Sequence, residues 1–132
     1  MTFLLDTNAW LRLYHEPHLV SPEVRQRLDS EPALALSPFS IIELAQKQAH
    51  PRKRITLGQP LHKWLIRAMP PARIHLLPIT PEIALRAYGF VAFHGDPADR
   101  IIAATAVEQG LTLVTSDQLL IDHPEVPTLS TL

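Results

Sequence analysis

Short apolar segments alternate along this chain with segments that carry the signals of helix ends. Helix starts are marked by a polar residue, a proline and an acid in Ser21-Pro22-Glu23 and Thr80-Pro81-Glu82, and Asp96-Pro97 is similar. A polar N-cap, a proline in the first turn and an acid near the positive helix end all favour helix initiation. Strands that alternate with helices are typical of a parallel sheet with helices on both faces. The sequence therefore predicts an α/β fold.

The predicted elements follow from these signals and from the apolar runs between them. The predicted strands cover about Thr2–Asp6, Ala33–Leu36, Ile74–Leu77, Leu111–Thr115 and Val126–Leu129. The predicted helices cover Trp10–Tyr14, Pro22–Leu28, a segment that holds Glu43, Leu61–Met69, Pro81 to about Phe93, and Pro97–Gln109, which Gly110 ends. Trp10, Leu13 and Tyr14 recur at helical spacing. We expect ordinary core packing for them, with a partner groove as the alternative.

The composition restricts the cellular context of the chain. Its 132 residues are enough for one domain with its own core, and 46% of them are hydrophobic. No apolar run approaches the length that spans a bilayer, and no basic region precedes the first apolar run, so neither a membrane span nor a signal peptide is expected. The lack of cysteine excludes disulfides and thiolate metal sites. We expect a single domain, residues 1–132, in the cytoplasm.

The net charge of −1 conceals an uneven distribution of charged residues. Between Leu44 and Pro81 there is no acidic residue, but there are seven bases: Lys47, Arg52, Lys53, Arg54, Lys63, Arg67 and Arg73. A basic segment of this kind suits a polyanion such as RNA, and its candidate RNA contacts are Lys47, Arg52, Lys53 and Arg54. The alternative is a solvated loop and helix face, which charge alone favours.

Four acidic residues stand at the edges of predicted core segments: Asp6, Glu43, Asp99 and Asp117. Asp6 ends the first strand, and Asp117 follows a later one. In an open parallel sheet the carboxyl ends of the strands share one edge, where ligands bind. Asp99 and Glu43 lie among apolar residues of predicted helices and are expected to face inward. Because a buried carboxylate is costly unless it is paired or binds a cation, these acids predict a shared metal site.

Each acid also has a structural interpretation. Asp96 followed by Asp99 resembles a capping box. Asp6 could begin a turn, and Asp117 could cap the turn that follows it. Glu43 is harder to explain in this way, because glutamate is rarely buried without a partner. The four together, with two of them predicted on one sheet edge, favour a shared site over separate structural roles.

The segments that hold these acids resemble the motifs of PIN-domain ribonucleases, of the kind that serve as the toxin in VapBC toxin–antitoxin pairs. The matching segments are Leu4-Leu5-Asp6-Thr7-Asn8, Ser40-Ile41-Ile42-Glu43-Leu44, Asp96–Ala104 and Leu113-Val114-Thr115-Ser116-Asp117. None is specific alone, but they occur in the family order over nearly the whole chain. The resemblance implies a three-layer PIN-like fold with a mostly parallel central sheet flanked by helices. The basic middle of the chain matches poorly, so the resemblance implies no RNA specificity.

The resemblance also implies hydrolysis of RNA phosphodiester bonds by the four acids with Mg²⁺ or Mn²⁺, ions that prefer carboxylate and water oxygens. It assigns Asp6, Asp99 and Asp117 as metal ligands, while Glu43 either binds metal or orients the attacking water. The positions that match supporting residues are Asn8, Asp96, Thr115 and Ser116. The sequence does not determine whether one metal ion or two would bind.

The resemblance further implies a homodimer that is inhibited by a small antitoxin protein. Arg100, beside the third acid, is a candidate for contact with phosphate or a site acid, and a structural salt bridge is the equal alternative. His94 is expected in the loop before Asp96.

Three other functions compete with this interpretation. A phosphatase of the haloacid dehalogenase type also places an acid after its first strand, but it needs a second Asp at the position of Asn8. A non-catalytic PIN module that binds RNA or protein is disfavoured by the complete set of acids. A DNA nuclease on the same fold stays open, because the chain contains no motif that reads bases.

Overall fold

The computed structural model describes residues 1–91, 93 and 95–132, and a parallel β-sheet lies at its centre. The strands in these residues are β1 (Phe3–Leu5), β2 (Leu34–Leu36), β3 (Ile74–Leu76), β4 (Thr112–Thr115) and β5 (Thr128–Ser130). Their order is β3-β2-β1-β4-β5, and each neighbouring pair is parallel. The predicted α/β fold is confirmed.

Helices connect these strands and cover the sheet. Those in the described residues are α1 (Thr7–His15), α2 (Pro22–Asp29), α3 (Pro38–Ala49), α4 (Leu61–Ala68), α5 (Pro81–Ala87), α6 (Pro97–Gln109) and α7 (Gln118–Asp122), with a 3-10 turn at Pro17–Leu19. In that part of the chain, none is both long and apolar enough to cross a lipid bilayer.

The predicted helix starts are confirmed by their caps. The side chains of Ser21, Thr80 and Asp96 each accept a hydrogen bond from a backbone N–H in the first turn of the helix that follows. Gly110 ends α6 with a φ of 66°, a left-handed conformation that glycine adopts without steric cost.

The sheet is buried on both faces, which explains why its strands are almost continuously apolar. Phe3 and Leu5 of β1 face a core formed with α1, α2, α3 and α4, whereas Leu4 faces a second core formed with α5, α6 and α7. Helices therefore form a layer on each side of the sheet. This arrangement is the predicted three-layer architecture.

Trp10 is fully buried in the first core, where its ring packs edge-to-face against Trp64 with 5.2 Å between centroids. Its Nε1 donates a hydrogen bond of 2.8 Å to the carbonyl of Ala68, at the end of α4. Leu13 and Tyr14 are partly buried against the same cluster. The expected core packing of these three residues therefore holds.

Two predicted helix boundaries were wrong. Helix α1 begins at Thr7 rather than Trp10, because Asp6 caps it. Helix α5 ends at Ala87 rather than about Phe93. It ends there because Nη1 of Arg100 donates a 2.9 Å hydrogen bond to the Ala87 carbonyl and because the chain turns at Gly89. Ala92 belongs to the rest of that predicted helix, and His94 was expected in the loop before Asp96. Both lie outside the described residues.

Two further differences lie near the C-terminal end of the chain. Strand β5 occupies Thr128–Ser130 rather than Val126–Leu129, so it begins just after Pro127, whose nitrogen cannot donate to a neighbouring strand. The short helix α7 was not predicted as a helix. Its start is fixed by Asp117, which the sequence indicated as a site acid and as a possible cap of a turn rather than of a helix.

The sheet register brings polar residues to one level at the carboxyl edge. Leu5 pairs with Leu36 on one side and with Val114 on the other, so Asp6 and Thr115 follow at the same edge. The backbone N–H of Asp6 donates to the Val114 carbonyl across 3.1 Å. The chain leaves β1 toward β2 and β3 and returns on the other side at β4, so β1 and β4 flank the switch point where ligands bind in such sheets.

Candidate active site

Asp6 connects the end of β1 to the start of α1. Its Oδ1 accepts a 2.7 Å hydrogen bond from the Ala9 N–H, and only 6% of the residue is exposed. Burial raises the pKa of Asp6 from 3.8 to about 6; hydrogen bonds from Thr115 and Ala9 oppose this rise, and the charges of Asp117 and Glu43 add to it. This carboxyl is therefore in electrostatic contact with two other predicted site acids.

Asp117 occupies the equivalent place between β4 and α7. Its Oδ1 accepts a 2.9 Å hydrogen bond from the Leu119 N–H. Its own N–H donates to the Thr115 hydroxyl across 3.0 Å, and that hydroxyl is also hydrogen-bonded to Asp6. Thr115, which is fully buried, thus lies between two of the acids.

Asp96 and Asp99 stand at the N-terminal end of α6. Asp96 is exposed and caps the helix by accepting a 2.9 Å hydrogen bond from the Ala98 N–H. Asp99 is half-buried, and its pKa rises from 3.8 to about 7, first through burial and then through the charges of Asp96, Asp117, Glu43 and Asp6. All the other predicted site acids therefore act on Asp99.

Glu43 is half-buried on α3, and a buried polar contact fixes that helix next to α1. The Thr7 hydroxyl donates to the Ser40 hydroxyl across 2.9 Å. Thr7 follows Asp6, and Ser40 lies three residues before Glu43 on the same face of α3. This contact was not predicted, although both residues fall inside the motif segments.

The remaining supporting positions lie around this cluster. Asn8 is exposed in the first turn of α1, beside Asp6. The Ser116 hydroxyl accepts a 3.0 Å hydrogen bond from Nη1 of Arg12, which brings a cation to the β4 side of the acids. Arg12 was not predicted to lie here. Its position four residues after Asn8, on the same face of α1, was the available signal.

The donor set fits a hard divalent cation, because it consists of carboxylates whose mutual repulsion an ion would relieve. Among the described residues, however, no three histidine or acidic side chains are arranged to hold an ion directly. Mg²⁺ usually keeps several waters and binds protein through one or two carboxylates. The arrangement therefore suits an ion held partly through water better than a complete protein cage.

The structure separates the bases that the sequence grouped together. Lys47 and Lys53 line a groove beside Glu43 and Asp96. Arg52 and Arg54 are exposed on the loop after α3, where Arg54 Nε donates to the Gln48 carbonyl at 3.3 Å.

Two other arginines have main-chain partners. Arg73 donates to the carbonyls of Leu28 and Glu31 at the end of α2. Arg100 donates to the carbonyls of Ala87 and Phe93, both at 2.9 Å. These contacts hold both guanidinium groups on main-chain carbonyls, and neither arginine lines the groove.

Comparisons with known proteins agree with the predicted family and with the fold. The PIN domain family model matches residues 3–125. Ribonuclease VapC22 of Mycobacterium tuberculosis is 37% identical over 123 residues, which cover 92% of each chain.

Solved structures give the same result for the fold. A chain of DNA-bound VapBC from Salmonella typhimurium matches with a TM-score of 0.69 at 17% identity, covering 100% of this chain and 99% of that one. A chain of FitAcB from Neisseria gonorrhoeae matches with a TM-score of 0.62 at 25% identity, covering 97% and 96% of the two chains. The resemblance inferred from the four segments is confirmed, and the chain belongs to the PIN-domain family.

Proposed function

We propose that this protein is a Mg²⁺- or Mn²⁺-dependent endoribonuclease that hydrolyses RNA phosphodiester bonds and acts as the toxin of a VapBC-type pair. The activity is supported by the 37% identity to a VapC ribonuclease over nearly the full length of both chains. It is also supported by the retention of all four motif acids in one electrostatic environment.

The convergence of the other acids on Asp99 is the observation that carries the proposal, and the Asp99 pKa reflects it. That pKa is raised to about 7 by burial together with the charges of Asp96, Asp117, Glu43 and Asp6. Acids that served only as separate caps would have no reason to share one neighbourhood. Strongly raised carboxyl pKa values at the edge of a parallel sheet are typical of functional sites.

We assign Asp6, Asp99 and Asp117 to hold the ion, directly or through water, and Glu43 to bind metal or to orient the attacking water. A divalent ion bound there would lower the pKa of a coordinated water and offset the charge that develops on the phosphate. With a pKa of about 7, Asp99 should be partly protonated in the metal-free protein at neutral pH, so metal binding should release a proton. Thr115 and the N-terminal ends of α1 and α7 hold Asp6 and Asp117 in fixed orientations.

The proposal extends to partners. The similar chains from Salmonella typhimurium and Neisseria gonorrhoeae belong to the complexes VapBC and FitAcB. By analogy, we propose a small cognate antitoxin, a toxin homodimer and a cytoplasmic location, where RNA substrates occur. Co-purification with the product of a short adjacent reading frame would test the antitoxin.

The activity is tested with a labelled single-stranded RNA and a DNA of the same sequence, each incubated with EDTA, Mg²⁺ or Mn²⁺. We expect internal cleavage of the RNA only when metal is present, and no cleavage by Asp6→Asn. Cleavage of DNA alone would identify a DNA nuclease. Binding of RNA without cleavage under any of these conditions would identify a non-catalytic PIN module.

A further inference from the structure

A groove of about 630 Å³ runs along α3 and ends at the candidate active site. This volume lies within the range of pockets that enclose small ligands. Its residues change in character along its length. Glu43 and Asp96 lie at the active-site end, whereas Lys47, His50 and Lys53 lie toward the C-terminal end of α3. The groove therefore joins a basic surface to the acids that are assigned to catalysis.

One wall of the groove is a single face of α3. Phe39, Glu43 and Lys47 are spaced by four residues, so their side chains lie in one row along the helix, and His50 follows at its C-terminal cap. Phe39 is half-buried and lines the groove near its acidic end. A partly exposed aromatic ring at this place offers a flat apolar surface to a ligand.

The loop after α3 is folded so that Lys53 returns to this face. The Gln48 side chain makes two hydrogen bonds with the backbone of Ile55. Its Oε1 accepts from the Ile55 N–H at 2.7 Å, and its Nε2 donates to the Ile55 carbonyl at 2.9 Å. The Lys53 N–H donates to the His50 carbonyl across 3.1 Å. Arg52 and Arg54 belong to the same loop but do not line the groove.

An aromatic platform beside a row of cations is the combination that binds single-stranded nucleic acid. The ring can stack on an unpaired base, and the cations can contact the phosphates on either side of it. His50 adds a donor, because its Nδ1 accepts a hydrogen bond from the Arg52 N–H at 3.2 Å and the neutral ring then carries its proton on Nε2. An acidic peptide would use the cations but would have no specific use for the ring.

We propose that this groove binds an unpaired nucleotide of the RNA adjacent to the scissile bond, with its base on Phe39 and its phosphates against Lys47 and Lys53. The inference rests on the proposed function, because it assumes that the acids at the end of the groove act on RNA. A base that stacks on Phe39 must be unpaired, so the groove favours a single-stranded substrate, and Phe39 is the residue that holds a base beside the cleavage site.

The charge contacts are tested by comparing two double variants that each remove two positive charges from this region. Binding of a labelled single-stranded RNA is measured in EDTA over a range of salt concentrations, so the result does not depend on cleavage. Lys47→Ala with Lys53→Ala should reduce the salt slope by about 1.4, since each single-strand phosphate contact contributes about 0.7. Arg52→Ala with Arg54→Ala should leave the slope close to that of the wild type. Equal losses in the two variants, or binding of an acidic peptide in place of RNA, would overturn the proposal.

The stacking contact is tested with Phe39→Leu, which keeps an apolar side chain at this position. An abasic nucleotide is moved along the RNA, and binding to the wild type should fall about tenfold or more at one position, because base stacking on an aromatic ring is a large part of single-strand affinity. In Phe39→Leu the same abasic RNA should bind about as well as the intact one. A duplex of the same sequence should bind weakly to both proteins. A position-specific loss that persists in Phe39→Leu, or tight binding of the duplex, would show that the ring does not receive a base.

Discussion

The hydroxyl of Thr7 donates a hydrogen bond to the hydroxyl of Ser40 across 2.9 Å, in a buried contact between α1 and α3. Thr7 follows Asp6 directly, and Ser40 lies one helical turn before Glu43. The two acids come from distant parts of the chain, and this contact joins the helix that follows Asp6 to the helix that carries Glu43.

Thr7→Val should therefore affect both stability and activity. It leaves the Ser40 hydroxyl buried without this donor, which should lower the free energy of unfolding by about 1–3 kcal/mol. Cleavage by the folded variant should also fall, because Asp6 and Glu43 lose a shared support. Thr105→Val is the matched control, since the buried Thr105 hydroxyl donates within α6 to Ile101. Urea unfolding and RNA cleavage measure both effects. A folded Thr7→Val that cleaves at the wild-type rate would limit this contact to a structural role.

Asp6→Asn should separate catalysis from stability. Asparagine caps a helix about as well as aspartate, whereas alanine costs about 1 kcal/mol there. Removing the charge of an acid whose pKa is raised from 3.8 to about 6 should stabilise the metal-free protein at pH 8, by up to roughly 3 kcal/mol. We expect Asp6→Asn to be inactive, at least as stable as the wild type in EDTA, and stabilised less by added Mg²⁺.

The matched control for this experiment is Asp6→Ala, which removes the charge and the cap together. Thermal unfolding with EDTA and with Mg²⁺ should place it below Asp6→Asn in stability. Normal cleavage by Asp6→Asn would mean that Asp6 is not a central metal ligand.

The stability of the metal-free protein should depend on pH through Asp99 and Asp6. Their pKa values are about 7 and about 6 in the folded protein and 3.8 ordinarily, so the folded state binds their protons more tightly than the unfolded state. This contribution to stability is present at low pH and is lost as the pH rises from about 4 to about 7. Urea unfolding in EDTA should therefore show Asp99→Asn gaining stability over the wild type across this range. A difference between the two proteins that does not change with pH would contradict the raised pKa.

Arg100 should prove structural. Lysine cannot reproduce the two guanidinium hydrogen bonds to the carbonyls of Ala87 and Phe93, so Arg100→Lys should lose about 1–3 kcal/mol of stability. Arg100→Gln also removes the charge, and it should leave the salt dependence of RNA binding unchanged. Arg86→Lys is the control, because Arg86 pairs with Glu108 at the surface, where an ion pair contributes little. A decrease of about 0.7 in the salt slope for Arg100→Gln would instead assign it a phosphate contact.

The parts of the fold that the sequence predicted correctly are those with local causes. The starts of α2, α5 and α6 depend on a polar cap and a proline that are adjacent in sequence, and the end of α6 depends on Gly110 alone. The prediction that Asp6 and Asp117 lie at the same edge of the sheet came from a general property of parallel sheets rather than from any measured distance.

The parts that were missed depend on residues far apart in sequence. The end of α5 is set by Arg100, a residue of the next helix. The support of Glu43 comes from Thr7. Of the seven bases of one sequence segment, two lie on α4 and the other five are distributed over a groove, an exposed loop and the end of α2. Periodicity and charge runs carry no information about such contacts, because these contacts form only when the helices have packed on the sheet.

Asp6, Asp96 and Asp117 each cap a helix as well as standing among the site acids, and this double duty restricts how the protein can lose its activity over evolutionary time. A mutation to alanine or a large apolar residue at any of them would remove a cap along with the charge and leave the fold less stable than asparagine or serine would. Substitution by asparagine or serine would remove the charge and leave the helix intact. Descendants of this chain that have lost catalysis should therefore carry asparagine or serine at the ends of β1 and β4, and they should keep the fold after the activity is gone.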